Sequence, residues 1–229
     1  MKLLSKSVNL NSNRGLSYNK MKNWYGNLVK PRTIPPPYKH ITQIGDPTLR
    51  LKAQPVDVDT IKSVKVQKII KQMRDVFEKY NSVGLAAPQI GVPLRIIAIG
   101  FSNGVMKQWS AEEIQARDMT LLPFTIVINP EVKITDYNKL VFPESCESVK
   151  GYWADVPRFK AVNLNGFNQN GEALNLETKG WLSRIIQHEM DHLNGTLYTD
   201  IMNRKSLTCG GWEIINERNG SVNLPYKPS

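Results

Sequence analysis

His188-Glu189-Met190-Asp191-His192, an H-E-x-x-H motif, is the segment that most strongly constrains both the fold and the chemistry. Apolar residues recur at helical spacing from Thr178 onward and Gly195 follows as a stop signal, so the pattern predicts a helix. Residues four apart lie on one side of a helix, which lets both imidazoles bind a single cation. Glu189 lies beside them, where a carboxylate can take a proton from water on that cation. The motif therefore predicts a catalytic metal site.

A catalytic metal of this type usually has a third protein ligand, and the sequence offers more than one candidate. The metzincin pattern would require a histidine where Tyr198 stands, so that class is excluded. A zinc peptidase that takes a glutamate from a later helix would use Glu213 or Glu217. Cys146 offers a soft thiolate, which together with two imidazoles suits Zn(II) or Fe(II).

The remaining secondary structure is predicted to be mixed. Apolar residues at helical spacing between Asp59 and Tyr80 predict an amphipathic helix of about six turns, with Asp59 and Thr60 as capping candidates. Short isoleucine-rich or alternating segments predict strands, and Asn170-Gly171 predicts a hairpin turn between the last two. The predicted strands are Arg95–Gly100, Thr125–Asn129, Ala161–Asn165 and Ala173–Glu177.

Composition excludes several classes of protein. The chain has 229 residues, of which 41% are hydrophobic and 22% charged, and these values are typical of one globular domain. Its apolar runs are far shorter than the ~20 residues that a membrane-spanning helix needs. Two cysteines cannot build a disulfide framework, which favours a reduced intracellular compartment.

The formal net charge of +10 is concentrated at the N-terminus. Eight of the 30 basic residues and none of the 20 acidic ones lie in residues 1–45, so the rest of the chain carries only +2. An acid-free segment with serines and scattered leucines is typical of an organelle transit peptide, although a disordered or RNA-binding arm has a similar composition. The prolines between Pro31 and Pro37 predict a stiff linker. We therefore divide the chain into a transit peptide and linker (1–39), a catalytic domain (40–202) and a C-terminal extension (203–229).

Three motifs, in order along the chain, resemble those of the peptide deformylase family. The family motif G-x-G-x-A-A-x-Q is similar to Ser82 to Gln89, E-G-C-x-S is similar to Glu144 to Ser148, and H-E-x-D-H is matched in full by His188 to His192. The segment Gly45 to Arg50, together with Val156-Pro157-Arg158, adds supporting similarity. The resemblance covers roughly residues 40 to 202, and the three motifs together are far more specific than H-E-x-x-H alone.

This resemblance implies roles for individual residues. Cys146, His188 and His192 would hold one divalent metal ion, Fe(II) or Zn(II), with water as the fourth ligand. Glu189 would be the general base and then the acid that protonates the leaving amine, so that formate and a free N-terminal methionine are released. The side chain of Gln89 and the backbone N–H of Glu147 would donate hydrogen bonds to the developing oxyanion.

The resemblance also implies a peptide-binding segment at Val83, Gly84 and Leu85. We expect Gly84 to let the substrate backbone approach closely, and we expect Val83 and Leu85 to border the methionine pocket. Ser82 and Ser145 depart from the family pattern, which has glycine at both positions. Glu147 replaces the usual bacterial leucine, and an acidic residue there resembles the mitochondrial branch of the family.

The resemblance implies an α+β fold in which antiparallel strands pack around a central helix carrying the H-E-x-x-H motif, and the predicted order of helices and strands agrees with it. The expected enzyme acts on N-formylmethionyl nascent peptides in the mitochondrial matrix, in transient proximity to organelle ribosomes, without a membrane span and without direct nucleic-acid binding. Two alternatives have different requirements. A zinc endopeptidase or aminopeptidase would need Glu213 or Glu217, and a non-catalytic RNA-binding or ribosome-binding module would use the basic tail.

Overall fold

The computed structural model describes residues 34–226 and Pro228. The basic segment that predicts a transit peptide lies in residues 1–33, outside the described residues, and the linker prediction falls partly there. From Tyr38 onward the chain makes backbone hydrogen bonds to the rest of the protein, beginning with Tyr38 N–H to the Ile90 carbonyl at 2.9 Å. The unit Pro36–Ser229 is compact.

Helices and strands are mixed along this unit. In chain order they are α1 (Val64–Lys79), β1 (Gly84–Ala86), β2 (Ile96–Phe101), α2 (Asn103–Met106), α3 (Ala111–Ala116), β3 (Leu122–Ser145), β4 (Tyr152–Phe167), β5 (Ala173–Lys179), α4 (Gly180–Leu193), α5 (Tyr198–Ile201), β6 (Thr208–Cys209) and α6 (Trp212–Glu217). Short 3-10 turns at Ala87–Ile90 and Glu147–Val149 connect the elements that build the site.

The strands form one antiparallel sheet in the order β1-β2-β3-β4-β5, and β6 pairs with β4. The predicted α+β class is confirmed. The predicted strand Thr125–Asn129 is only the beginning of β3, which continues to Ser145 with several register shifts. The predicted hairpin is confirmed as β4 and β5, joined through the turn at Gly171, whose φ is +77°.

The core has two parts that share β2. Ile96 and Ala98 pack against the α1 side of the sheet, whereas Ile97 and Ile99 pack against the side that α4 covers. Side chains of a strand alternate between the two faces, so a strand buried on both sides is apolar at every position. β2 is therefore apolar throughout, and α4 packs against one of its two faces.

Helix α1 is shorter than the sequence predicts. It begins at Val64, because the Ser63 hydroxyl accepts a hydrogen bond from the Val66 N–H and caps the helix. Asp57 caps a separate 3-10 turn, Val58–Thr60, which contains the two residues that we had expected to cap the helix. Several residues before Val64 are of types that cap helices, so residue type alone does not locate the start of the helix.

Helix α4 carries the H-E-x-x-H residues. Gly180 begins it with a φ of +57°, and Gly195 follows its end with a φ of +75°. A Cβ at Gly195 would lie 2.7 Å from the Arg50 carbonyl oxygen, so glycine permits both the turn and the close packing of the Pro47–Arg50 segment. Within the described residues, no helix combines the length and apolar character that a membrane span requires.

Candidate active site

Three side chains of types that commonly bind metal ions converge at the C-terminal half of α4. His188 and His192 lie one turn apart on the helix, and Cys146 comes from the residue that follows β3. Their ligand atoms all lie within 4.8 Å of one another, with Cys146 Sγ 3.3 Å from His192 Nε2. Cys146 and His192 are buried, and His188 is partly buried. The sequence-predicted ligand set is therefore brought together by the fold.

The conventional peptidase alternative required a ligand from the C-terminal segment. Glu213 and Glu217 lie on α6 and are exposed. Neither belongs to the cluster of Cys146, His188 and His192 that the described part of the chain contains. The long helix required by that alternative is also absent at this position, since α6 has only six residues.

A buried carboxylate orients His188. Glu144 Oε2 lies 3.1 Å from His188 Nδ1, so an Nδ1–H donor would leave Nε2 available for a metal ion. Arg158 donates two hydrogen bonds of 2.9 Å to Glu144, and Arg184 Nη1 donates a third of 2.6 Å. Burial alone would raise the pKa of Glu144, but the hydrogen bonds from His188 and Arg158 hold that pKa well below its usual range.

The same network reaches the residue before His192. Arg158 Nη1 donates to Asp191 Oδ2 at 2.6 Å. The Arg158 guanidinium on β4 therefore contacts α4 directly at Asp191 and reaches His188 through Glu144. Sequence analysis did not assign roles to Glu144, Arg158, Arg184 or Asp191. The sequence could have indicated a role for Arg184, because it is a charged residue about one helical turn before His188 on the buried side of the predicted helix.

Glu189 follows His188 on α4 and is almost completely shielded from solvent. It is 3% exposed, and among the described residues its Oε2 atom has no hydrogen-bond partner. Burial raises the pKa of Glu189 to about 7, which suits a group that must both take up and give back a proton near neutral pH.

The structure gives a second reason for glycine at position 84. A Cβ at this position would collide with the Glu189 carboxylate and would lie 3.0 Å from Ile185 Cγ2. The absence of a side chain at Gly84 therefore makes room for Glu189, and the expected approach of a substrate backbone to Gly84 stays a prediction.

Gln89 is fixed by three contacts. Its Oε1 accepts from the Ala86 N–H at 2.8 Å, and its Nε2 donates to Ser148 Oγ at 3.1 Å and approaches Cys146 Sγ at 3.7 Å. Glu147 opens the 3-10 turn after Cys146, and its side chain pairs with Lys150 at 3.1 Å. Of the two predicted oxyanion donors, Gln89 therefore contacts the Cys146 thiol, and Glu147 directly follows Cys146 in the chain.

A cavity of about 330 Å³ opens onto these groups. Val83 and Gly84 line it, as does Glu147, together with an apolar wall from Val105, Trp109, Trp181 and Ile185. Leu85 does not line it: its side chain is fully buried in the core against α1, so the prediction that Leu85 borders a methionine pocket is wrong. Alternation along β1 explains the difference, because neighbouring side chains point to opposite faces.

The departures from the family pattern are accommodated without distortion of the backbone. Ser145 ends β3 in register with Trp153 and is not among the residues with positive φ, so a side chain there is unstrained. The Ser82 hydroxyl is buried and has no hydrogen-bond partner among the described residues.

The donor set fits a divalent transition metal. One thiolate and two imidazoles form a soft and borderline ligand set, and the Glu144 carboxylate beside His188 Nδ1 is the kind of partner that metal-bound histidines usually have. The buried Glu189 oxygen without a partner supplies an acceptor beside the cluster. An antiparallel α+β scaffold with three such ligands, an adjacent buried glutamate and a cleft defines a metal-dependent hydrolase.

Comparisons with known proteins define the family. The family model described as polypeptide deformylase matches residues 38–207. The chain is 37% identical over 182 residues to the human protein named mitochondrial peptide deformylase, covering 80% of this chain and 75% of that protein. It is 40% identical over 162 residues to the chloroplastic peptide deformylase 1A of Solanum lycopersicum, covering 71% of this chain and 58% of that one.

A solved structure agrees with these relatives. The crystal structure of a peptide deformylase from Synechococcus elongatus in complex with actinonin is similar to this chain with a TM-score of 0.60 and 30% identity, covering 84% of this chain and 92% of that one. The chain belongs to the peptide deformylase family, whose members are metal-dependent hydrolases that remove the N-formyl group from nascent peptides.

Proposed function

We propose that this deformylase uses Cys146, His188 and His192 to hold one Fe(II) or Zn(II) ion on the helix around which the strands pack. The observation that carries the proposal is the convergence of their ligand atoms within 4.8 Å beside a buried, unpartnered glutamate oxygen. When bound, the cation supplies Lewis-acid chemistry that lowers the pKa of a water molecule toward about 7.

Glu189 moves the protons of the reaction. Its carboxylate accepts a proton from the attacking water and later delivers it to the nitrogen of the breaking formamide bond, so formate leaves and the methionine amine becomes free. Without a metal ion, burial raises the pKa of Glu189 to about 7, and a cation beside it would lower that pKa and favour the carboxylate that accepts the proton. The exclusion of solvent around Glu189 keeps the proton with the reacting groups.

Gln89 Nε2 and the backbone N–H of Glu147 stabilise the negative charge that develops on the formyl oxygen. Gln89 is already oriented by Ala86 and Ser148, so it requires little rearrangement when charge develops. Val83 and Gly84 border the substrate, with the apolar wall of the cavity receiving the unbranched methionine side chain.

The enzyme acts on N-formylmethionyl nascent peptides in the mitochondrial matrix, in transient proximity to organelle ribosomes. The acid-free N-terminal composition supports this address, as do the organellar names of the human and tomato relatives. Residues 1–39 then act as the import segment and linker, 40–202 as the catalytic domain and 203–229 as an extension. Fusing residues 1–45 to a reporter tests the address, and a cytosolic reporter would contradict it.

Formate release from a formyl-Met peptide tests the site, using protein prepared without air and the variants Cys146→Ala and Glu189→Gln. We expect both variants to lose activity, with metal content retained in Glu189→Gln and lost in Cys146→Ala. Full metal content and activity in Cys146→Ala would remove Cys146 from the ligand set. Metal analysis of the wild-type protein purified without air, together with activity after reconstitution with Fe(II) or Zn(II), distinguishes the two metals.

A further inference from the structure

Segment Ile41–Ile44 ties together the two sides of the active site. The Thr42 N–H donates to the Gln89 carbonyl at 2.9 Å, and the Ile44 N–H donates to the Ser148 carbonyl at 2.7 Å. The segment is itself held by the Thr42 hydroxyl, which donates to Asp46 Oδ2 at 2.6 Å. It therefore lies between the residue that carries one oxyanion donor and the turn that carries the other.

Between these two main-chain contacts, the side chain of Gln43 spans the turn that follows Cys146. Gln43 Nε2 donates to the Glu147 carbonyl at 2.7 Å, and Gln43 Oε1 accepts from the Lys150 N–H at 3.4 Å. The partners fix the amide orientation, because a carbonyl can only accept and an N–H can only donate. Gln43 thus donates a hydrogen bond at the start of the Glu147–Val149 turn and accepts one from Lys150, the residue that follows the turn.

The contact with Glu147 leads directly to the metal-ligand cysteine. The peptide group between Glu147 and Ser148 has its carbonyl on Gln43, and its N–H donates to Cys146 Sγ at 3.4 Å. Gln89 Nε2 contacts the Ser148 hydroxyl at 3.1 Å. Rotation of this peptide group would therefore disturb the sulfur ligand, the neighbouring Glu147 N–H and the Gln89 side chain together.

We propose that Gln43 is a positioning residue for deformylation, which holds the Glu147-Ser148 peptide so that the Cys146 sulfur and the oxyanion donors keep their catalytic geometry. The proposal rests on the proposed function of this site. The main-chain bonds of Thr42 and Ile44 do not involve the Gln43 side chain, so its substitution leaves the segment docked. Its effect should therefore appear in the chemical step more than in substrate binding or stability.

The test compares the zinc-loaded wild type with Gln43→Met and Gln43→Glu. Methionine keeps the length of the side chain but makes none of the three hydrogen bonds of Gln43, which include a longer one of 3.4 Å to the Ile41 carbonyl, and glutamate places an oxygen against the Glu147 carbonyl. Gln54→Met is the matched control, because Gln54 is exposed and, among the described residues, its side-chain amide donates only to the Lys52 carbonyl. The measurements are kcat and KM on a formyl-Met peptide, metal content, melting temperature and hydrogen exchange of the Ser148 amide.

For Gln43→Met we expect kcat to fall at least about fivefold, the effect of losing the short hydrogen bond to the Glu147 carbonyl, with KM within about twofold of the wild type. Gln43→Glu should lose at least as much. The Ser148 amide should exchange faster in both variants, while the Ala98 amide in β2 and the metal content stay unchanged. The Gln54→Met control should match the wild type.

Wild-type kcat and Ser148 exchange in Gln43→Met would overturn the proposal. A parallel loss of melting temperature, metal and kcat would also overturn it, since that pattern defines a purely structural role. If the wild type itself releases no formate, the proposed function fails, but the comparison of Ser148 exchange still tests whether Gln43 holds the turn.

Discussion

The contact between Gly84 and Glu189 makes Gly84→Ala a sharp test of the active-site geometry. The added Cβ would lie 2.8 Å from Glu189 Cδ and closer still to Oε1. Ordinary contact at about 3.4 Å or more requires the carboxylate to move by roughly 1 Å, and a displacement of that size costs about 100-fold in rate. We therefore expect kcat on a formyl-Met peptide to fall about 100-fold, with metal content unchanged because the closest atoms all belong to Glu189 and Ile185.

Two comparisons separate this mechanism from a general loss of structure. Gly104→Ala is the matched control, because Gly104 is exposed and a Cβ there meets nothing closer than Ser102 Oγ at 3.7 Å. In a double-mutant cycle, Gly84→Ala should add little to Glu189→Gln if both act through the same carboxylate. Wild-type kcat in Gly84→Ala would refute the argument, as would fully additive losses in the cycle.

Three further predictions concern the charged groups. Glu144→Gln should lower the free energy of unfolding by about 3 kcal/mol, because two buried guanidinium groups lose their carboxylate; urea denaturation measures this, and an unchanged midpoint would contradict it. In metal-free protein, the free energy of unfolding of Glu189→Gln relative to the wild type should increase by roughly 3 kcal/mol as pH rises from 4.5 to 8. Folding raises the pKa of the Glu189 carboxyl to about 7, so ionising it in the folded wild type lowers the free energy of unfolding as pH rises from 4.5 to 8. A difference between the two proteins that does not change with pH in urea denaturation would exclude this explanation. Glu147→Leu should raise kcat/KM on a formyl-Met peptide, since it removes a carboxylate from the peptide entrance; an unchanged or lower value would reject the idea.

The residues that perform chemistry were easier to predict than the residues that support them. His188 and His192 share a helix face at a fixed spacing, so the motif itself fixes their relation. Cys146 is 42 positions away from His188, and its place rested on the family resemblance until the fold brought the two together. Nothing local in the sequence shows that Glu144 and Arg158 meet, because their contact depends on the register of β3 against β4.

The errors have equally specific physical causes. Leu85 was assigned to the cavity because it adjoins Gly84, but alternation along β1 sends its side chain into the core. The predicted first helix began too early because Asp59 and Thr60 are also capping residue types, and only the Ser63 cap marks the true start. The contact of Gly84 with Glu189 was not predicted, because Glu189 comes from a distant part of the chain.

The buried charges around the site explain why a polar network of this size is compatible with a stable core. Glu144 and Asp191 carry two negative charges, and the guanidinium groups of Arg158 and Arg184 balance them within hydrogen-bond distance. Each carboxylate and guanidinium is therefore paired, as burial of charge requires. Because this network is neutral by itself, a divalent cation held by the proposed ligands would be balanced by the Cys146 sulfur and the Glu189 carboxylate. The Glu189 carboxylate is costly to ionise in the metal-free protein, and a cation beside it would favour the ionised form, so metal binding would be coupled to the group proposed to move the proton.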